Sequence, residues 1–304
     1  MKTRLFSLAL GLSLGLTPLM SAPLASQAQV VQNVANGQLD WSNGQISVTG
    51  TGAAPAKAGM SAGQKRLMAQ RAAVVDGYRQ LAEAINGVQV DAETLVQNYV
   101  VESDIVKTRV SALVKGAKVG NYKYMSDGTV EVTVSLSMFG SNSLSSVMVP
   151  EIIERKQIRT VPSYQSPPLN NNQPTVVETP IPTPEAGDYT GVIIDCRGHK
   201  VTPAMSPQIL DTQGREVYVG DQPIDPDMVV NSGIVAYADS LARAQSNARV
   251  GRNPLVIKAV RSGGGVHQTD AIISVDQANQ LMAANQKSGF LNSSKVVFLI
   301  DKDK

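Results

Sequence analysis

From residue 130 to 138 apolar and polar positions alternate without a break: Val130, Val132, Val134, Leu136 and Met138 against Glu131, Thr133, Ser135 and Ser137. A period of two buries one face of a strand and leaves the other wet. Val119, Tyr122 and Tyr124 form a shorter run just before it, and Ser126-Asp127-Gly128 lies between them. Asp-Gly favours a tight turn with both central residues at positive φ, so the two runs are predicted to pair as a β-hairpin. Upstream the period changes. Leu67, Val74, Tyr78, Leu81 and Ile85 recur at helical spacing, with Ala69, Ala72, Ala73 and Ala82 beside them and charged or amide residues between. Ser61-Ala62-Gly63-Gln64 reads as a capping box for this helix. Asn86-Gly87 supplies a left-handed stop. Alanines thin the buried face, which lets a helix lie close on a sheet.

Between helix and hairpin, Val101, Ile105, Val106, Val110, Leu113 and Val114 fit a second helix by spacing, although their β-branching pulls toward strand. Ile46 and Val48, leading into Gly50 and Gly52, suggest a strand before the first helix. These elements make an α+β unit over residues 29–149 with helices on one face. A second α+β unit is read over residues 189–304. Its strands are Val192-Ile193-Ile194, a hairpin of Gln208–Leu210 and Val217–Val219 around Thr212–Arg215, Ile234–Tyr237, Leu255–Ile257, and Ala271–Ile273 beyond the glycine turn Gly263-Gly264-Gly265. Asp239 could cap a short helix, and a longer one spans about Asp276–Gln286. Val296–Ile300 is a continuous apolar run, as in a strand buried on both faces. Both units are expected to be helices packed on mostly antiparallel sheets.

Composition adds the organisation between and before these units. From Pro150 to Pro184 the chain carries 8 of its 16 prolines, with Asn170, Asn171 and Asn172 in the middle. That makes residues 150–188 an extended spacer, and a proline-rich ligand segment is the other reading. Met1–Ala28 has the form of a secretory signal: Lys2 and Arg4, an apolar stretch from Leu5 to Leu16, and Ser26-Gln27-Ala28 at the cleavage position. Pro18 and Pro23 interrupt the apolar run too early for a membrane span. Without those two basic residues the 27 Lys and Arg fall to 25, against 25 Asp and Glu. A balanced surface with 4% aromatic residues offers little to nucleic acid or to an anionic membrane. Cys196 is the single cysteine, so no intrachain disulfide can form. None lies at the cleavage point, and the exported chain is expected to be periplasmic and not lipidated.

Candidate chemistry is sparse. Asp195-Cys196-Arg197-Gly198-His199 could be read as an activated thiol, but a nucleophile and base three residues apart in one strand-to-turn segment rarely face each other. Otherwise Cys196 is a small hydrophobe ending an apolar strand. His267 has no ligand partner at zinc spacing. The triple glycine lacks the lysine and threonine of a phosphate loop. Asp221, Asp225 and Asp227 could suggest calcium, yet Pro223 and Pro226 break their alternation, so they read as solvated surface. No catalytic, cofactor or metal residues are assigned. Glu131, Thr133 and Ser135 are candidates for a protein contact, because the apolar face of their strand is spent on the helix.

The order of features from Gly50 to Met138 resembles the Lpp-twenty-type flagellar and outer-membrane lipoprotein family (FlgP/FlgT-like). The residues that carry it are Gly50-Thr51-Gly52, Ala69-Gln70-Arg71-Ala72-Ala73, Tyr78-Arg79-Gln80-Leu81-Ala82-Glu83, Ile85-Asn86-Gly87-Val88, Val114-Lys115-Gly116-Ala117 and Asp127-Gly128-Thr129-Val130-Glu131-Val132. The resemblance implies a non-enzymatic subunit of an envelope assembly, flagellar rings and disks above all, with itself or homologous ring proteins as partners. Two other function classes stay open: a hydrolase or transferase with a site near Cys196 and His199, and a periplasmic ligand-binding protein.

Overall fold

The computed structural model describes residues 29–34, 37–56, 58–158, 189–219 and 225–301. The expected signal at Met1–Ala28 and most of the expected spacer, residues 159–188, lie outside them.

The first unit runs β1 (Val31–Val34), β2 (Gly37–Asp40), β3 (Gln45–Gly52), α1 (Ala62–Asn86), α2 (Val96–Glu102), α3 (Asp104–Lys115), β4 (Lys118–Tyr124), β5 (Val130–Ser137) and α4 (Leu144–Ile158). Its five strands form an antiparallel sheet in the order β1-β2-β3-β5-β4. α1 lies across β3 and β5, closed at its start by the capping box, in which Ser61 Oγ accepts from Gln64 N and Gln64 Oε1 accepts from Ser61 N. Close approach is what Gly50-Thr51-Gly52 provides. A Cβ on Gly50 would stand 2.2 Å from Ala73 O, and one on Gly52 would stand 2.2 Å from Ala73 N and 2.4 Å from Ala69 O. Between them Thr51 N donates to Asp76 Oδ2 at 2.9 Å, tying strand to helix.

Several local expectations change in this unit. Gly87 ends α1 at φ −82°, not in the left-handed region, and its N–H is taken by the last-turn carbonyls. In the hairpin turn only Gly128 takes positive φ (86°). Asp127 stays out of that region because its Oδ1 accepts from Thr129 N and Oγ1, which fixes the turn by side chain. The apolar segment after α1 is two helices broken at Ser103, whose hydroxyl accepts from Val106 N to cap the second. α4 runs through Pro150, where a spacer was expected to begin. Buried Leu144, Val147, Met148 and Ile152 hold it on the core and outweigh the hydrogen bond that proline removes.

The second unit runs β6 (Gly191–Asp195), β7 (Ile209–Asp211), β8 (Glu216–Tyr218), α5 (Pro226–Ser232), β9 (Ala236–Ala238), α6 (Leu241–Ser246), β10 (Pro254–Lys258), β11 (Arg261–Gly263), β12 (Asp270–Ile273), α7 (Val275–Ser288) and β13 (Val296–Leu299). It is not mostly antiparallel. β10-β6-β13-β9 is a wholly parallel sheet, and β11-β12-β7-β8 is mixed, with β12 and β7 parallel. The cause is burial on both faces. Val192 and Ile194 point into the main core, while Ile193 joins Val297, Leu299, Ala238, Ala244 and Val250 on the α6 side. The hairpin β7–β8 forms as expected, its turn held by Asp211, which accepts from Gln213 N, Arg215 N and Arg215 Nε. The triple glycine joins β11 to β12, whereas β10 pairs with β6. Ser240, not Asp239, holds the N-cap position of α6.

The two units pack against each other. Trp41 meets Tyr237 edge-on at 5.6 Å between ring centroids, and Tyr237 meets Phe298 in the same way at 6.1 Å. Main-chain bonds cross the same boundary: Gly140 N to Val230 O (2.8 Å), Met205 N to Gln89 O (3.0 Å) and Ser206 N to Val90 O (2.7 Å). A single apolar cluster therefore runs from Leu39 and Trp41 to Phe298 and Ile300.

Four aspartates, Asp76, Asp127, Asp195 and Asp211, are held below the ordinary range and make this fold sensitive to acid. Asp76 is held below the ordinary aspartate range by the Thr51 N–H and by Arg79, and Asp195 by the Arg197 guanidinium. Each has a lower pKa folded than unfolded. Their contribution is complete above the unfolded value and is lost as pH falls through the folded one. The melting temperature should fall as pH drops below about 4, and less steeply in Asp76→Asn. A thermal melt series across acid pH checks this; identical slopes for the variant and the parent would refute the role of Asp76.

Candidate interaction surface

β5 directs Val130, Val132, Val134 and Leu136 at the core under α1 and leaves Glu131, Thr133, Ser135 and Ser137 on the opposite face. On that face Thr133 is exposed, and Glu131 and Ser135 are half-buried. Neighbouring strands extend it in rows. Thr51, Glu131 and Lys123 share one, Thr49 stands opposite Thr133, Gln38, Ser47, Ser135 and Lys118 share another, and Gln45 stands opposite Ser137. A shallow hollow of about 360 Å³ lies across the β2–β3 side, lined by Gly37, Gln38, Ser47, Val48, Thr49 and Thr133.

The chemistry of this face is mostly hydroxyl. Its carboxylates are Glu131, which pairs with Lys123 at 3.3 Å, and Asp40, which stands opposite Gln45 and accepts from Asn43 N and Nδ2. Hydroxyls both donate and accept, so the surface suits hydrogen bonding to another polar surface. Ser47, Thr49 and Thr51 belong to it as fully as the β5 residues, yet were not singled out from the sequence. Their signal was present: they alternate with Ile46, Val48, Gly50 and Gly52, but glycines in two apolar places hide the period of two.

The other candidate residues lie apart. Cys196 follows β6 and is fully buried, with Sγ donating to Ile194 O at 3.6 Å. Burial, reinforced by Asp195 and Asp301, pushes its thiol far above the ordinary cysteine range. His199 meets Cys196 through the main chain, His199 N donating to Cys196 O. Arg197 is turned to Asp195, with Nε 2.8 Å from Oδ1 and Nη2 2.6 Å from Oδ2. His267 follows the triple-glycine turn. Asp225 caps α5 by accepting from Asp227 N, and Asp221 lies outside the described residues. Among the described residues no three His, Cys, Asp or Glu side chains are grouped to hold a metal. A second hollow is lined by Ser232, Ala248, Arg249, Ser293, Ser294 and Lys295, and the Arg249 guanidinium in its wall donates to Ser232 O, Gly233 O, Ile234 O and Ser294 O.

Comparison with known families assigns both units. Residues 40–137 match the LPP20 lipoprotein family, the assignment that the motifs from Gly50 onward implied. Residues 191–302 match the second domain of Treponema pallidum Tp0624. No curated protein matches the chain. A lipoprotein family suggests the cell envelope, and no helix of the described residues is long and apolar enough to cross a membrane. The same family carries lipid attachment with it, which conflicts with the expectation that the chain is not lipidated. Cys196 is not the place for a lipid in the folded protein, since its sulfur is enclosed by the core.

Proposed function

We propose, from the LPP20 lipoprotein domain at residues 40–137, that the protein is a non-enzymatic subunit of a cell-envelope assembly, of the flagellar ring or disk type, and works in the periplasm at the outer membrane. The observation that carries this reading is the open face of β3, β5 and β4. Its reverse is spent on α1, while the face itself presents Thr49, Thr133, Ser135 and the Lys123–Glu131 pair to solvent. Rings form when one such surface meets a different one on its neighbour. Cys196 is enclosed by the core and presents no thiol to solvent, which fits a protein that works through its surfaces. The partners are then further copies of the chain or homologous ring proteins.

Glu131→Lys combined with Thr133→Lys tests it. Both side chains point away from the core, so the melting temperature should stay close to the parent. Self-association by sedimentation, and co-purification of envelope proteins, should both be lost. Parent protein that stays monomeric at high concentration and captures no envelope component would refute the proposal.

A further inference from the structure

The first two turns of α1 overrun the sheet. Every residue from Ser61 to Met68 is exposed, among them Leu67 at 57% and Met68 at 41%. The tip of the β4–β5 hairpin reaches the same place. Tyr124 lies under Arg66, whose guanidinium carbon is 3.8 Å from the ring centroid, and the Tyr124 hydroxyl is 2.5 Å from Gln70 Nε2. Tyr124 is still 44% exposed and Met125 37%. Leu67 and Gln70 are three residues apart and share a side of the helix. Leu67 and Met68 at the start of α1, and Tyr124 and Met125 at the hairpin tip, are thus all exposed at one end of the first unit.

Its cations outnumber its acids. Lys65, Arg66 and Arg71 are exposed on this stretch of α1. Against them stands Asp127 in the hairpin turn, which accepts from Thr129 N and Oγ1, while the Lys123–Glu131 pair lies on the opposite face of the sheet. The even charge of the whole chain conceals this local excess. Exposed apolar side chains beside an excess of cations are the combination with which a protein enters an anionic bilayer interface. Leucine and methionine sink among the acyl chains, tyrosine sits at the headgroup level, and lysine and arginine reach phosphate. A second copy of the same tip would meet like charge, which disfavours self-docking here.

We infer that the start of α1 and the β4–β5 hairpin tip form a docking point for an anionic phospholipid surface. It lies on the α1 side of the sheet, away from Thr133 and Ser135, so it stands or falls independently of the assembly surface. The test is co-sedimentation of the purified mature protein, its N-terminus fixed by intact mass, with phosphatidylglycerol vesicles and with neutral phosphatidylcholine vesicles. The parent should sediment with the anionic vesicles only, and high salt should release it. Leu67→Ser with Met68→Ser, and separately Lys65→Glu with Arg71→Glu, should each weaken binding by about tenfold with unchanged circular dichroism. Equal sedimentation with both vesicle types, or parent and variants that bind alike, would overturn the inference. Retention by an acidic protein without sedimentation would assign the tip to a protein partner and overturn it too.

Discussion

Gly52→Ala should cost about 3 kcal/mol or more, and Gly50→Ala with Gly52→Ala should leave no docked α1. The added methyl of Gly52→Ala would stand 2.2 Å from Ala73 N and 2.4 Å from Ala69 O. Both are backbone atoms of a helix, so no side chain can swing aside. Helix and strand would have to separate, and with them the Thr51–Asp76 bond and the apolar contacts of Ala69, Ala73 and Leu81. Urea unfolding measures the cost. Gly63→Ala is the control with opposite sign: nothing lies within 4 Å of a Cβ there, so the variant should gain up to about 1 kcal/mol from helix propensity. Gly52→Ala that melts with the parent would show that α1 does not rest on its backbone.

Trp41→Ala should cost about 3–5 kcal/mol, the usual range for emptying a buried aromatic site. The ring is 3% exposed, packs edge-on against Tyr237 and donates Nε1–H to Gln32 Oε1. Since it joins the two units, its loss should lower the melting of both in one transition. Trp41 is also the single tryptophan, so its fluorescence reports this contact. Proteolysis between residues 159 and 188 should give two fragments that stay together on a sizing column with blue-shifted Trp41 emission. Fragments that separate while each remains folded would contradict the shared core.

Much of this architecture is legible in the chain. Ser61-Ala62-Gly63-Gln64 marks the start of α1, and the alternation from Val130 to Met138 tells which face of β5 is wet, hence where Glu131, Thr133 and Ser135 stand. What escapes has physical causes. β1 and β2 offer Leu39 as their one fully buried strand residue, too little for a periodic signal. Pro150 argues for the end of structure, yet α4 carries it on tertiary packing. Val296–Leu299 shows that a strand is buried on both faces, and Val192–Ile194 shows the same; pairing two such strands in parallel is the step a local reading does not take. The units also look separable, because Trp41, whose ring joins them, lies in a turn where no pattern marks burial, and other bonds across the boundary are made by main-chain atoms.

The order β10-β6-β13-β9 has a consequence for the time course of folding. β6 is the earliest strand of its unit in the chain, and it lies between β10 and β13, which follow it by about 60 and 100 residues. Until β13 arrives, one edge of β6 stays open. Parallel pairing at such separation is slow because loop closure precedes any gain from contact. During vectorial emergence of the chain, β6 is therefore a nascent apolar strand exposed for longer than any other in its unit. A holdase that shields it would set the yield of native protein, and so would the rate at which residues 196–299 follow it out.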